Sequence, residues 1–278
     1  MKMINAMPVD AYLKEKSVLI ERSLESYLPK ASENPTIIHE AMRYAVLGNG
    51  KRLRPILTLA VNEMCGGSEE KAMIPACAVE LIHTYSLVHD DLPLMDNDDM
   101  RRGKPSCHKK YGDAIALLTG DALLTLAFEL LGKLENRNNA ALLVRIIAEA
   151  AGTLGMIGGQ VLDIQSVDQK LGLDQLDEIN QRKTGALIQT SCHAGAIAGG
   201  ANEAEKRRIL KFGQYLGFAF QIVDDIIDRD GCLRFMSEEE AKKKAQHLTD
   251  QAKKELNQFG KAGEKLCMIA DSILERKR

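Results

Sequence analysis

Two runs of aspartate are the residues in this chain best placed to do chemistry. The first, DDLPLMDNDD at residues 90–99, places five carboxylates within ten positions: Asp90, Asp91, Asp96, Asp98 and Asp99. The second, DDIID at residues 224–228, puts Asp224 and Asp228 on one face of a helix. Each run ends a strongly apolar segment. The C-terminal end of a helix is itself the negative end of its dipole, so acids there are poorly placed unless something positive offsets them. Carboxylates drawn into an apolar interior cost several kcal/mol each without compensation. A cation is the obvious compensation. Oxygen-only ligands suit Mg²⁺ rather than zinc, and Mg²⁺ prefers to share its shell with phosphate and water. One such run alone reads equally well as a solvated helix end; two of them, each ending an apolar helix, favour a metal site.

Basic groups lie close by in sequence. GKRLRP at 50–55 sets Lys51, Arg52 and Arg54 just after a glycine turn, and RRGK at 101–104 follows the first acidic run. Lys183 and Thr184 precede Gly185 inside a helical stretch. Arginine grips phosphate oxygens two at a time, so metal-holding acids with arginines beside them point to diphosphate recognition. Any single basic pair, Lys51 or Arg101 taken alone included, reads more simply as solvated surface. His83 lies seven residues before Asp90 and shares its helix face, which favours substrate contact. His89, beside the acids, reads as structural.

The elements that must carry these residues are helical. Of 278 residues 45% are hydrophobic and only 4% aromatic, Trp is absent, and few stretches alternate with a period of two. The pattern predicts helices over 9–28, 36–47, 53–64, 72–92, 113–133, 138–157, 158–167, 174–198 and 203–229, with a polar loop at about 95–112. The helix at 203–229 is apolar almost all round from Phe212 to Ile227, the mark of a buried helix. Ser237, with Glu240 three residues on, starts a further helix by a capping box, and Glu238–Lys242, Glu239–Lys243 and Glu240–Lys244 are pairs at i,i+4 spacing. A short helix and the basic tail ERKR end the chain. The simplest reading is one domain, residues 1–278, an all-α bundle of about ten or more helices.

Composition excludes several classes. A net charge of −2 gives no basic surface for nucleic acid. The six cysteines are scattered without CxxC spacing, which argues against a zinc site or a disulfide framework and for a reducing cytoplasm. The segment MKMINAMPVDAYLKEK lacks the apolar region of a signal peptide, and no uninterrupted apolar run approaches the ~18 residues of a membrane span.

The set GKRLRP, HTYSLVHDDLPLMDNDDMRRGKPSCH, GGQVLD, KTG and FQIVDDIID resembles the trans-isoprenyl diphosphate synthases, in order over residues 40–228, with the bacterial farnesyl diphosphate synthases nearest and the geranylgeranyl synthases next. The resemblance implies a helical bundle around a deep central cavity, usually a homodimer, with the two Asp motifs facing each other across the cavity mouth. It implies that Asp90, Asp96 and Asp224 are the principal ligands of three Mg²⁺ ions bound with the allylic diphosphate, supported by Asp91, Asp225 and Asp228. Arg101 and Lys183 would hold the allylic diphosphate. Lys51, Arg54, His83 and Arg102 would hold the diphosphate of isopentenyl diphosphate, and Thr184 and Gln221 would line the reacting end. Asp163 would partner a lysine, and Gly158 and Gly159 would permit close helix packing. Tyr85, five residues before Asp90 and next to the small Ser86, would set product length. An aromatic there resembles the fifteen-carbon pattern, and core packing is its plainer role.

The chain departs from the pattern after DDIID. The family continues with a loop of roughly twenty residues carrying Gly-Lys and a further lysine, whereas this chain reads RDGCLRFMSEEEAKKK, with Glu238–Glu240 where that lysine would fall. Arg229 and Arg234 are the nearest basic replacements. A geranylgeranyl synthase and a non-catalytic subunit that binds prenyl diphosphates therefore stay open beside the farnesyl synthase. GKRLRP and RRGK argue against a terpene cyclase, which needs no second diphosphate site.

Overall fold

The computed structural model describes residues 9–48, 50–167 and 169–276. The first eight residues of the N-terminal segment, Asn49 of the glycine turn, and residues 277–278 of the basic tail lie outside them. The described chain forms two compact units. Residues 13–56 and 73–144 make the N-terminal unit, and residues 9–12, 57–72 and 145–276 the C-terminal unit. The all-α expectation is met: among the described residues the sole sheet is a hairpin with two residues in each strand.

The N-terminal unit takes most of α1 (Val9–Tyr27), α2 (Thr36–Val46), the start of α3 (Leu53–Met64) and most of α4 (Glu69–Asp90). Glu69 and Glu70 open α4 at its positive dipole end. Residues 76–82 of α4 are all buried, so the helix is enclosed on every side, as its lack of an apolar stripe requires. Pro93 follows closely and lacks the N–H that a further helical turn would use. The chain instead turns back: Asp96 N–H donates to Asp90 O (2.9 Å), and Asn97, at φ 52°, donates to Leu92 O (3.1 Å).

The stretch expected as a loop at 95–112 holds two unforeseen elements. Strands β1 (Met100–Arg101) and β2 (Lys104–Pro105) pair antiparallel, and α5 (Cys107–Tyr111) follows. Arg102 and Gly103 both have positive φ (52° and 78°), which a two-residue hairpin turn requires. A strand of two residues leaves no period-two signal to read. α6 (Asp113–Gly132) and the start of α7 (Arg137–Ala151) complete the unit.

In the C-terminal unit the expected helix at 174–198 is three pieces: α9 (Leu173–Asn180), a π-helical segment (Gln181–Gly185) and α10 (Ala186–Ala198). Periodicity cannot report the extra residue of a π-bulge, because the helix continues on both sides. α8 (Met156–Ser166) begins after a break at residues 152–155, so α7 ends at Ala151 rather than at 157. α11 (Glu203–Asp228) is capped by Asn202, which accepts from Ala204 and Glu205 N–H groups. It packs against α10, α12 (Glu238–Glu255) and α13 (Glu264–Leu274). From Phe212 to Ile227 only Gln214 of α11 is exposed, as its apolar surround predicted.

The Ser237 capping box forms, with Glu238–Lys242 and Glu239–Lys243 ion pairs beside it. The third expected pair does not: Glu240 is spent on the cap, and Lys244 reaches Asp177 at 3.1 Å instead. All six cysteines are free thiols. By length and average composition alone, α6 and residues Arg137–Ser166 are apolar enough to cross a membrane, although neither is an uninterrupted apolar run: Asp121 breaks the first and the turn at 152–155 the second. Small residues such as Thr119 and Gly120 interrupt an apolar run without adding much polarity. Buried core helices pass the same test, and Leu123, Leu130 and Leu131 of α6 are buried.

Candidate active site

In the N-terminal unit the end of α4 and the hairpin bring one group of polar side chains together. Asp91 is 2% exposed, and Arg101 Nε donates to its Oδ1 at 2.9 Å. Arg101 also reaches Asp98 (2.9 Å). Burial holds the Asp91 carboxyl above its ordinary pKa, with the Arg101 bonds pulling the other way. Asp91 therefore fixes Arg101, while Asp96 is exposed and Asp90 half-buried one turn away. The backbone bond from residue 96 to residue 90 holds these two acids on one turn.

His83 is half-buried on α4 two turns before Asp90. Burial, and then Arg54, Arg102, Arg52 and Arg101 in that order, hold its imidazole well below its ordinary pKa, so it is neutral at pH 7. Arginines from two distant motifs thus act electrostatically on this one side chain. Lys51 lies exposed beside them. Arg52, which has no assigned role in the sequence pattern, is the most enclosed of the group at 2% exposure. Its guanidinium donates to Glu21 (2.7 Å), to Glu80 (2.5 Å) and to the Val46 and Gly48 carbonyls. Tyr85 is buried, its ring edge-on to His89 at 5.8 Å, and its hydroxyl has no partner. Desolvation, then Asp90, push that phenol up to about 12. Ser86 bonds back to the His83 carbonyl (2.9 Å). His89 is structural as expected: it pairs with Leu117 O at 3.0 Å, and a Cβ on Gly120 would lie 2.0 Å from its ring.

In the C-terminal unit the π-helical segment presents Lys183 and Thr184, both half-buried. Lys183 Nζ donates to Asp163 Oδ2 at 2.8 Å, the lysine partnership expected of Asp163. A Cβ on Gly159 would meet the Lys183 backbone nitrogen at 2.3 Å, so glycine there lets α8 approach the segment; Gly158 instead meets its own turn at Thr153 O.

Within the second Asp motif the three acids differ. Asp225 is 7% exposed and accepts from Gln221 Nε2 (3.0 Å) and Cys232 N (2.8 Å). It thus closes the turn after α11, where Arg229 is left-handed and residues Gly231–Arg234 form a 3₁₀ turn. A Cβ on Gly231 would strike its carboxylate at 2.3 Å. Gln221, expected at the reacting end, is used here on Asp225. The short sequence after Asp228 is therefore a built turn, with Cys232 buried against Ile222, Val223, Ala241 and Ala245. Arg234 is bound to Asp230 (2.6 and 2.8 Å), so it faces its own loop. Asp224 pairs with Arg276 of the basic tail at 2.6 Å, and that guanidinium lies 5.1 Å from the Phe220 ring centroid. Arg276 carries no sequence signal beyond its charge. Asp228 is exposed.

Among the described residues no three acidic, histidine or cysteine side chains converge on a metal position by themselves. The donors on both motifs are oxygen-only, and several are committed to protein cations. This fits Mg²⁺, which is held through one or two carboxylates with phosphate and water completing its shell.

The comparisons with known proteins agree with the motifs. The polyprenyl synthetase family profile matches residues 35–255. The geranylgeranyl diphosphate synthase of Cyanophora paradoxa is 40% identical over 288 aligned residues, 95% of this chain and 95% of that protein. The farnesyl diphosphate synthase of Geobacillus stearothermophilus is 43% identical over 229 residues, 81% of this chain and 77% of that protein. The chain spans only 60% and 59% of two longer plant relatives. Among solved structures, an FPP/GFPP synthase from Zymomonas mobilis superimposes with a TM-score of 0.91 at 39% identity, covering 96% of this chain and 98% of that one. Helical architecture, ordered motifs and full-length relatives converge: the chain belongs to the polyprenyl synthetase family of trans-prenyl diphosphate synthases.

Proposed function

We propose that this prenyltransferase condenses isopentenyl diphosphate head to tail with an allylic diphosphate, dimethylallyl or geranyl, in a Mg²⁺-dependent reaction whose main product is farnesyl diphosphate, residues 1–278 acting as one catalytic domain. The observation that carries the reading is the meeting of Arg52 and Arg102, from two distant motifs, at Gly50 and Glu80, with Arg101 held by Asp91 next to the Asp90–Asp96 turn. Arg102, Arg54, Lys51 and His83 bind the isopentenyl diphosphate. Arg101, anchored by Asp91, and Lys183, anchored by Asp163, bind the allylic diphosphate. Asp90, Asp96, Asp224 and Asp228 are suited to hold Mg²⁺, and Asp91 and Asp225 to support them. When bound, Mg²⁺ neutralises the charge that grows on the departing diphosphate.

In the reaction the allylic C–O bond breaks, its electron pair leaving with the diphosphate. The double bond of isopentenyl diphosphate attacks the allylic cation, and a proton then passes to the released diphosphate. No nucleophilic serine or cysteine is needed. Arg101 and Lys183 orient the leaving group, Thr184 lines the reacting end, and apolar walls exclude water from the cation. Tyr85, buried with Ser86 beside it, supports a fifteen-carbon limit.

Geranylgeranyl diphosphate is the competing product, given the identity to a synthase of that name. The compact turn after α11, which brings no lysine, favours as a second reading a non-catalytic prenyl-diphosphate-binding subunit. A homodimer is supported by an exposed apolar stripe on α8, Ile157, Val161 and Ile164 with Leu154 and Val167 flanking it. Six free thiols support a cytoplasmic setting. Metal dependence is tested by EDTA: condensation should vanish with chelator and return with excess Mg²⁺. Activity that persists in EDTA would overturn the metal assignment.

A further inference from the structure

Arg52 sits in the GKRLRP motif among the diphosphate-binding candidates, yet its guanidinium already donates to Glu21, Glu80, Val46 O and Gly48 O. A buried arginine spent on four acceptors has little left for a ligand. It also holds a left-handed backbone (φ 52°), a conformation that side chains other than glycine adopt only when the surroundings fix it. Arg102, at the hairpin turn, shares that backbone conformation (φ 52°) but not the full set of partners. It is half-buried, and the nearest carboxylate oxygen is Glu80 Oε1, at 3.8 Å. Burial lowers its pKa, and Glu80 offsets that in part. Glu80 itself is 2% exposed on α4, one turn before His83.

The two guanidinia are neighbours. A Cβ placed on Gly50 would lie 2.8 Å from Arg52 Nη1 and 3.0 Å from Arg102 Nη1. Two like charges this close repel unless a carboxylate faces both, and Glu80 Oε1 does.

We propose that Glu80, locked in place by Arg52, is the positioning residue for Arg102: it aims the Arg102 guanidinium at the diphosphate of isopentenyl diphosphate, while Arg52 touches no substrate. This rests on the reading of Arg102 as a ligand for that diphosphate. Arg52 neutralises Glu80, so the carboxylate steers Arg102 without cancelling its charge. An incoming diphosphate then supplies the close partner that Glu80, at 3.8 Å, does not.

The test compares Glu80→Gln, Arg52→Lys, Arg102→Gln and the Glu80→Gln/Arg102→Gln double variant. It reads KM for isopentenyl and for geranyl diphosphate, with a calorimetric Kd for isopentenyl diphosphate in Mg²⁺ buffer. Glu80→Gln and Arg52→Lys should each raise KM and Kd for isopentenyl diphosphate about tenfold, the loss of one charge-assisted hydrogen bond, with the geranyl KM within about twofold. The double variant should be no worse than Arg102→Gln alone, because the two residues act as a unit. A mere structural role would give additive losses and move both substrates together, which would overturn the proposal. Tighter isopentenyl diphosphate binding in Glu80→Gln would do so too, since it would mean that the carboxylate only repels the anion. If Arg102→Gln leaves both constants unchanged, the reading of the site fails and takes the proposal with it. If Arg102→Gln weakens binding and the other two do not, the proposal alone fails. Should Glu80→Gln not fold, Arg52→Lys, which keeps the charge and breaks the fork, carries the same comparison.

Discussion

Replacing Tyr85 with alanine separates a cavity floor from ordinary core packing. The residue lies five positions before Asp90 on α4, about 7–8 Å along the helix axis. Its side chain is 5% exposed, so the change removes a buried ring and an edge-on contact with His89. Aromatic-to-alanine truncation costs roughly 3–5 kcal/mol when the site cannot collapse. The hydroxyl has no partner to strand, so no hydrogen-bond penalty adds to this. For a chain of 278 residues the melting temperature should fall by roughly 5–9 °C. Against that loss, space opened beneath the first motif admits one more five-carbon unit. Burying those carbons favours the longer product by about 4 kcal/mol, at ~0.8 kcal/mol per carbon. That is enough to make the twenty-carbon product dominant. The assay is mass spectrometry of dephosphorylated products from labelled isopentenyl diphosphate, run well below the melting temperature. A folded Tyr85→Ala variant whose product lengths match the parent would refute the floor assignment and leave Tyr85 as core.

Other perturbations probe the rest of the site. Gly231→Ala pushes a methyl into the Asp225 carboxylate, and Asp225→Ala strands the Cys232 N–H; each should cost about 1–3 kcal/mol in denaturant unfolding. A loss under about 0.5 kcal/mol would mean that the turn is not built on Asp225. For His83 the folded pKa is depressed, so the unfolded chain takes up a proton below about pH 6.5 that the folded chain refuses. Stability from this group is full above that value and falls as pH drops through it, by at most ~1.4 kcal/mol per pH unit. His83→Gln should therefore lose less melting temperature than the parent between about pH 7.5 and about pH 5.5, and equal slopes would contradict a neutral imidazole held below its ordinary pKa.

The helices and both acid motifs were legible because they depend on local pattern: apolar periodicity, Ser237 with Glu240, and aspartates at the ends of apolar runs. What the sequence did not reveal depends on contacts distant along the chain. The π-segment at Gln181–Gly185 keeps a helical period and hides its extra residue, though it is what presents Lys183 and Thr184. The Arg101–Arg102 hairpin is too short to alternate. Arg52 was indistinguishable by residue type from Arg54, and only burial against Glu21 and Glu80 separates a structural arginine from a binding one. Likewise, Asp224 and Asp225 are adjacent identical residues. One meets Arg276, fifty-two positions away, and the other closes its own turn.

After DDIID the chain lacks the lysine-bearing loop that the family resemblance implies. The turn there is closed by Asp225 and packed around the buried Cys232, so the shorter segment is a built element. Whether the chain turns over without the lysine loop is then a question of chemistry. The most direct measurement is to incubate the purified chain with labelled isopentenyl diphosphate, geranyl diphosphate and Mg²⁺ and identify the lipid product. The account predicts farnesyl diphosphate as the main head-to-tail product, formed over many turnovers. Isopentenyl diphosphate binding with no condensation would contradict it and leave the non-catalytic subunit as the reading.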